Sequence, residues 1–114
     1  MHVVEIIPNL PTASLAEARS FYSGFLGLSE QNMGHDWVTR FIGDDVALQA
    51  VTEEATAPVD SAATVKVDDV DAAYQEALRR DYDIVHPLVT EAWGVRRFFV
   101  RAPGGAVLNI AQQH

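Results

Sequence analysis

The chain has 114 residues, 48% of them hydrophobic and 21% charged, which is enough for one domain with a hydrophobic core. Its sixteen acidic and eight basic residues give a formal net charge of −8, which predicts that it does not bind nucleic acid. The absence of cysteine excludes disulfides, thiolate metal sites and a cysteine nucleophile. No apolar run approaches the length of a membrane span and no secretion signal is recognisable, so we expect a cytoplasmic protein without a membrane partner.

The first half of the chain predicts a strand, a helix and three further strands. Residues 3–7 are rich in Val and Ile and predict a strand that ends before Pro8. Ser14 and Glu17 have the spacing of a capping box, in which hydroxyl and carboxylate each satisfy a free backbone N–H, so a helix is predicted over 15–26. The apolar residues at helical spacing are predicted to pack between helix and sheet: Leu15, Ala18, Phe21, Tyr22, Phe25 and Leu26. The remaining strands are predicted at 28–33, 37–42 and 46–51.

The second half repeats this plan. After a polar linker at about 54–61, a strand is predicted at 62–67 and a helix at 70–80, capped by Asp69 as Ser14 caps the first. The inward residues of this helix are predicted to be Val70, Ala73, Tyr74, Ala77 and Leu78. Three strands follow, at 84–88 with its end at Pro87, at 95–101 and at 106–112.

The repeat predicts an α+β fold of two βαβββ modules, 1–53 and 62–114, that form a curved mixed sheet. Each helix covers one face of its strands, so the other faces are predicted to line a cup. Gln49 and Asn109 occupy matching positions on the last strand of each module and are predicted to face that cup.

Three segments resemble the vicinal oxygen chelate superfamily, in particular its glyoxalase and bleomycin-resistance branch. They are the "FY…LGL" end of the first helix at 20–28, the "VDDVDAA" start of the second helix at 67–73, and the "WG-x-R-x-F-x-V" stretch at 93–105. The resemblance implies a paired βαβββ fold with a cup-shaped ligand site. It also implies a homodimer, because many relatives form their pockets against a partner chain.

Enzymes of this superfamily hold a divalent metal through His, Glu or Gln on the first and last strands of each module. Carried over to this sequence, these positions are Ile7, Ala62, Gln49 and Asn109. Two apolar residues and two neutral amides do not supply the donors that a divalent ion prefers. We therefore predict no metal and no cofactor.

A member of the superfamily without metal resembles the drug-sequestering proteins, which bind a bulky antibiotic without transforming it. We predict a small-molecule ligand that is cationic or aromatic, because the chain is acidic and a tryptophan face suits both kinds of group. The candidate ligand-binding residues are Trp37, Gln49, Trp93, Arg97, Phe99 and Asn109.

Two orientations remain open for the strand at 95–101. Either Arg96, Phe98 and Val100 face the cup, or the residues of the other parity do: Val95, Arg97, Phe99 and Arg101. A guanidinium in the cup would favour a carboxylate or phosphate over a cationic ligand.

Three functions and one alternative fold compete at this point. A non-catalytic binder of the bleomycin-resistance type is the leading prediction, because the implied metal positions lack suitable donors, the chain is acidic and it has two tryptophans. No serine has a nucleophile-elbow context, so covalent catalysis is not predicted. The alternatives are a metal-dependent glyoxalase-like lyase, isomerase or dioxygenase, a small-molecule sensor that acts through dimer contacts, and a different α+β fold such as a ferredoxin-like dimer.

Overall fold

The computed structural model describes residues 1–53 and 60–113, so most of the predicted linker at 54–61 lies outside the described residues. The chain divides into two compact units. We call Ile7–Thr56 the first unit, and Met1–Ile6 together with Ala57–His114 the second unit. The module boundaries 1–53 and 62–114 stay a prediction.

The order of elements is strand, helix and three strands, twice, which confirms the predicted α+β class and its repeated βαβββ plan. A π-helical segment follows the first α-helix directly. The elements are β1 Val3–Pro11, α1 Leu15–Arg19, the π segment Ser20–Phe25, β2 Ser29–Asn32, β3 Val38–Gly43, β4 Val46–Val51, β5 Ala63–Val67, α2 Val70–Arg79, β6 Ile84–Thr90, β7 Val95–Arg101 and β8 Val107–Gln113. Within the described residues, no helix is long and apolar enough to cross a bilayer.

In the first unit, the strands lie in the order β2-β3-β4-β1. The end of β1 runs parallel to β4, whereas β2, β3 and β4 form antiparallel pairs, so the sheet is mixed. The helix covers one face of this sheet, where buried and half-buried apolar side chains form the core: Ala18, Phe41, Ala50, Leu15, Tyr22, Leu28 and Leu48.

The first helix begins where it was predicted to begin. The Ser14 hydroxyl accepts the N–H of Glu17 at 3.2 Å, which confirms the cap. The reciprocal half of the predicted capping box is replaced, because the N–H of Ser14 donates to the Thr12 hydroxyl at 3.3 Å. At the other end Gly27 has φ +74°, the left-handed conformation that favours glycine at a helix C-terminus.

The π segment changes which aromatic residues are buried. Its wider turn is seen in the hydrogen bond from the N–H of Leu26 to the carbonyl of Phe21, five residues back, at 3.0 Å. Because a π turn holds more residues than an α turn, side chains after Arg19 rotate away from the α-helical face. Tyr22 still packs against the core, but Phe21, Phe25 and Leu26 are exposed, so their predicted burial is wrong.

In the second unit, the strands lie in the order β5-β8-β7-β6, with the start of β1 beside β5. The N-cap of α2 is Asp69, as predicted, and its carboxylate accepts the N–H of Ala72 at 3.0 Å. Beneath α2 lies a core of buried residues: Val65, Val67, Val70, Ala73, Ala77, Phe98 and Ile110. Leu78 is exposed although it follows buried Ala77 directly in the last turn of α2, so its predicted burial is wrong.

Two strands run past prolines at which they were predicted to end. β1 continues through Pro8, and the ladder between β1 and β4 begins at Asn9, so the missing N–H of Pro8 is not required in it. β6 continues through Pro87, but it is an edge strand and its register against β7 shifts on both sides of His86. An edge strand with bulges tolerates proline, which explains the length of β6, whereas β1 is longer than predicted because its ladder with β4 begins only after Pro8.

Candidate functional site

The face of the first unit opposite α1 carries a hydrogen-bonded polar group. In the ladders, Gln49 on β4 pairs with Asn9 on one side and with Arg40 on the other, so the three side chains share a face. The Gln49 amide nitrogen donates to Asn9 Oδ1 at 2.6 Å, and the Gln49 carbonyl accepts Nη2 of Arg40 at 3.1 Å. Gln49 itself is buried. We call Asn9, Arg40 and Gln49 the amide–arginine group.

Arg40 has an unusual environment for a guanidinium. Its Nε is buried without a hydrogen-bond partner in the described part of the chain. Its one hydrogen bond there is to the neutral carbonyl of Gln49. A buried N–H without a partner and a cation without a counter-ion are both costly, so such a side chain is a candidate for ligand binding.

The metal-ligand positions implied by the resemblance do not fit a divalent cation in either unit. In the first unit, Ile7 is apolar and fully buried, and the Gln49 carbonyl is already bonded to a guanidinium, whose charge repels a metal ion. In the second unit, Ala62 has no side-chain donor atom, so the neutral Oδ1 of Asn109 would be the single side-chain donor from these two positions, fewer than a divalent ion requires. Across residues 1–53 and 60–113, no three His, Asp or Glu side chains converge as metal ligands would.

Trp37 lies just before β3, where its half-buried ring stacks on His35 with the ring centroids 4.3 Å apart and the planes 23° apart. Its carbonyl accepts the N–H of Thr52 at 2.8 Å, which fixes the backbone at this position. Its role as a ligand contact stays a prediction.

In the second unit, the orientation of β7 follows from its core. Phe98 packs beneath α2 against Tyr74, with ring centroids 5.0 Å apart. Alternation therefore places Arg97 and Phe99 on the opposite face, where Phe99 pairs with Asn109 on β8. Of the two orientations that the sequence left open, the structure has the one with Arg97 and Phe99 away from the helix.

Arg97 lies among aromatic rings and has a carboxylate partner. Its guanidinium carbon is 5.4 Å from the ring centroid of Trp93 and 5.1 Å from that of Phe99, distances typical of cation–π contacts. Its Nε lies 3.3 Å from a carboxylate oxygen of Glu91, and the two side chains are only 6% and 16% exposed. His86 packs against the ring of Phe99 at 5.5 Å. The charge of Arg97 is thus neutralised inside this unit.

Asn109 keeps one polar atom unpaired. Its amide nitrogen bonds Thr64, its neighbour across the parallel pair of β5 and β8, but its Oδ1 is buried without a partner in the described residues. An orphaned buried acceptor is a position at which a bound N–H or O–H group would be stabilised. The predicted contact of Asn109 with a ligand stays a prediction that this geometry supports.

Sequence reasoning missed Asn9, Arg40 and Thr64, and it missed the contact between Glu91 and Arg97. The signal for Arg40 was present, since a two-residue turn at Asp44 and Asp45 places residue 40 opposite residue 49. Glu91 had no such signal, because its contact with Arg97 depends on a turn after β6 in which the N–H of Glu91 donates to the carbonyl of Val95 at 2.7 Å.

Two ionisable groups away from these faces have shifted pKa values. Hydrogen bonds from Arg96 to Asp71 raise the pKa of the Arg96 guanidinium. The backbone N–H of His2 donates to Asp68 and lowers the pKa of that carboxyl below its ordinary value of 3.8. Both pairs are surface features of the second unit, and neither points to acid–base chemistry.

The order of elements and the polar faces opposite the two helices define a repeated βαβββ protein. The family model described as "Glyoxalase/Bleomycin resistance protein/Dioxygenase superfamily" matches residues 2–110. The chain belongs to this superfamily, which confirms the resemblance found in its motifs.

Solved structures share this fold at low sequence identity. A superfamily member from Vibrio splendidus 12B01 is 20% identical, with 96% of this chain and 98% of that chain covered and a TM-score of 0.75. A protein described as an NAD-dependent benzaldehyde dehydrogenase from Legionella pneumophila is 16% identical, with 96% and 100% covered and a TM-score of 0.79. An uncharacterized protein from Methanosarcina mazei is 24% identical, with 100% and 95% covered and a TM-score of 0.69. A search of curated proteins finds no significant match. At these identities the likeness concerns the fold alone.

Proposed function

We propose that this member of the superfamily binds a small molecule without a metal ion and does not transform it, as the bleomycin-resistance type does. The observation that carries the proposal is the hydrogen bond of 3.1 Å between Arg40 and the Gln49 carbonyl. Gln49 occupies a position that holds a metal ligand in the enzymes of the superfamily. Its carbonyl oxygen here accepts a hydrogen bond from the guanidinium of Arg40.

The second unit supports the same proposal. Its face opposite α2 combines flat apolar surface with orienting polar groups, the composition typical of small-molecule sites. The half-buried Trp93 provides aromatic surface, Phe99 is only 1% exposed and supports that surface from below, and the unpaired Oδ1 of Asn109 provides an acceptor. A ligand with an aromatic ring and a hydrogen-bond donor suits this face.

No chemical step is assigned to these residues. The Glu91 carboxylate is paired with Arg97, and His86 contacts the Pro87 carbonyl through Nδ1 at 2.8 Å, so neither is arranged as a base beside a nucleophile. The finer parts of the proposal are sequestration of an antibiotic-like ligand, a homodimer and a cytoplasmic location. These rest on the family resemblance and on the composition of the chain.

A thermal-shift panel tests metal independence. The protein is treated with EDTA and then screened against bleomycin, benzoate, salicylate and indole-3-acetate, with and without added Zn²⁺ or Mn²⁺. A probe present at ten times its Kd adds about 1.4 kcal/mol, which raises Tm by roughly 6–11 °C in a domain of this size. We expect such a shift to be the same with and without metal. Stabilisation that requires metal, or turnover of a probe, contradicts the proposal.

A further inference from the structure

We infer that Arg40 binds an anionic group of the ligand, a carboxylate or a phosphate. The inference rests on the proposed function, because it concerns the ligand that the first unit would bind. The net charge of −8 led us to expect a cationic ligand. Arg40 carries a positive charge, so the inference predicts an anionic group instead.

The first argument is the pairing of basic side chains. The chain has eight Lys and Arg residues, and seven of them have a carboxylate partner within the described residues: Arg19, Lys66, Arg79, Arg80, Arg96, Arg97 and Arg101. Arg40 has none there. Among the described residues of this acidic protein, Arg40 thus differs from the other basic side chains. We take an anion bound from solution as the partner of its charge.

The second argument is the fixed geometry of Arg40. The Gln49 amide nitrogen donates to Asn9 Oδ1 at 2.6 Å, and this hydrogen bond orients the Gln49 carbonyl toward Nη2 of Arg40. Gln49 is thus a positioning residue for the guanidinium. A side chain held in place before binding loses less conformational entropy when an anion arrives, and a guanidinium matches the planar geometry of carboxylate and phosphate.

The third argument is access. Arg40 is half-buried, and among its nitrogens Nε is the one that is both buried and unpaired. Nη2 already donates to Gln49, so Nε and Nη1 are the nitrogens left to donate to an anion. Partial burial strengthens the attraction between the guanidinium and that anion, because the effective dielectric constant falls with burial.

Arg97 is a natural contrast. It also lies on the face opposite the helix of its unit, but its Nε is 3.3 Å from Glu91 and its charge is neutralised. The inference therefore assigns the anion to Arg40 and not to Arg97, although sequence reasoning placed Arg97 among the candidate residues.

The test is isothermal titration of the full-length, EDTA-treated protein with benzoate, benzamide and inorganic phosphate. Benzamide has the shape of benzoate without its charge, and phosphate separates the charge from the aromatic ring. We expect wild type to bind benzoate more tightly than benzamide and Arg40→Gln to lose about 10- to 100-fold in benzoate affinity, the value of a charged hydrogen bond. Arg40→Lys keeps the positive charge but not the planar guanidinium, and it is expected to lose less benzoate affinity than Arg40→Gln. The matched control is Arg101→Gln, which removes an exposed pair with Asp83 and is expected to stay within about twofold.

A second measurement covers the case in which Arg40→Gln does not fold. In wild type, the Nε–H NMR signal of Arg40 is expected to shift on adding benzoate or phosphate, whereas that of Arg97 stays in place. Equal affinity for benzoate and benzamide with no effect of Arg40→Gln overturns the inference while leaving the metal-free binder standing. Benzoate binding that needs added Zn²⁺ or Mn²⁺ overturns the proposed function instead. Absence of any anion binding to wild type also overturns the inference.

Discussion

Replacing Phe41 by alanine is expected to lower the free energy of unfolding by about 3–5 kcal/mol. Phe41 is 0% exposed and belongs to the core of the first unit, where its ring centroid lies 5.3 Å from that of Tyr22. The substitution removes apolar area from burial and leaves a cavity between strand and helix. Since domains of this size are stable by about 5–15 kcal/mol, the loss is a large fraction of the total and is measurable by urea unfolding.

Phe25→Ala is the matched control. The ring of Phe25 is 73% exposed at the end of the π segment, although helical periodicity predicted that it is buried. Its removal is expected to change the free energy of unfolding by no more than about 0.5 kcal/mol. A loss at Phe25 comparable with that at Phe41 would show that the π segment does not rotate this ring away from the core.

Glu91→Gln is expected to destabilise the protein by about 3 kcal/mol. The substitution keeps the size of the side chain and the turn around it, but it removes the carboxylate charge that lies 3.3 Å from the buried guanidinium of Arg97. Replacing both partners together, as Glu91→Leu with Arg97→Met, is expected to recover most of the loss, because no unpaired buried charge remains. Urea unfolding of the two single variants and the double variant measures this coupling.

The comparison pair for Glu91 lies on the surface of the same unit. Arg101 Nε is 3.0 Å from Asp83, and both side chains are largely exposed. Asp83→Asn is therefore expected to cost less than about 1 kcal/mol. Equal costs for Glu91→Gln and Asp83→Asn would contradict the view that burial of Arg97 makes its partner indispensable.

Much of the fold was predictable from local signals. The caps at Ser14 and Asp69, the stop at Gly27 and the turn at Asp44 and Asp45 mark element ends through backbone chemistry that neighbouring residues decide. The repeat then predicted the order of strand, helix and three strands in each half of the chain. These features need no knowledge of contacts distant in sequence.

Other features depend on tertiary context. In the π segment Tyr22 is half-buried against the core and Phe25 is exposed, and nothing in the periodicity distinguishes the two, because both fall on the same α-helical face. Strand lengths past Pro8 and Pro87 depend on where each ladder begins and which strand lies at an edge. That Arg40 has no carboxylate partner in the described residues is recognised only once the ion pairs of the other basic side chains are known.

Gln49 occupies one of the metal-ligand positions that the family resemblance implies. A neutral amide at a metal-ligand position can still hold an ion if other donors converge on it. Here its carbonyl bonds Arg40 and its amide nitrogen bonds Asn9, so both ends of the side chain are already used within the chain. We regard the fixed guanidinium as the group that takes the place of a metal in binding a ligand.

Titration of the apo-protein with Mn²⁺, followed by the side-chain amide NMR signals of Gln49 and Asn109, tests this claim most directly. Mn²⁺ broadens signals of nuclei close to it, so the readout is specific to each position. The account predicts that both amide signals persist at several equivalents of Mn²⁺, because the Gln49 carbonyl accepts from Arg40 and the Asn109 amide donates to Thr64. Loss of both signals at one equivalent would place a metal ion at these amides and contradict the account.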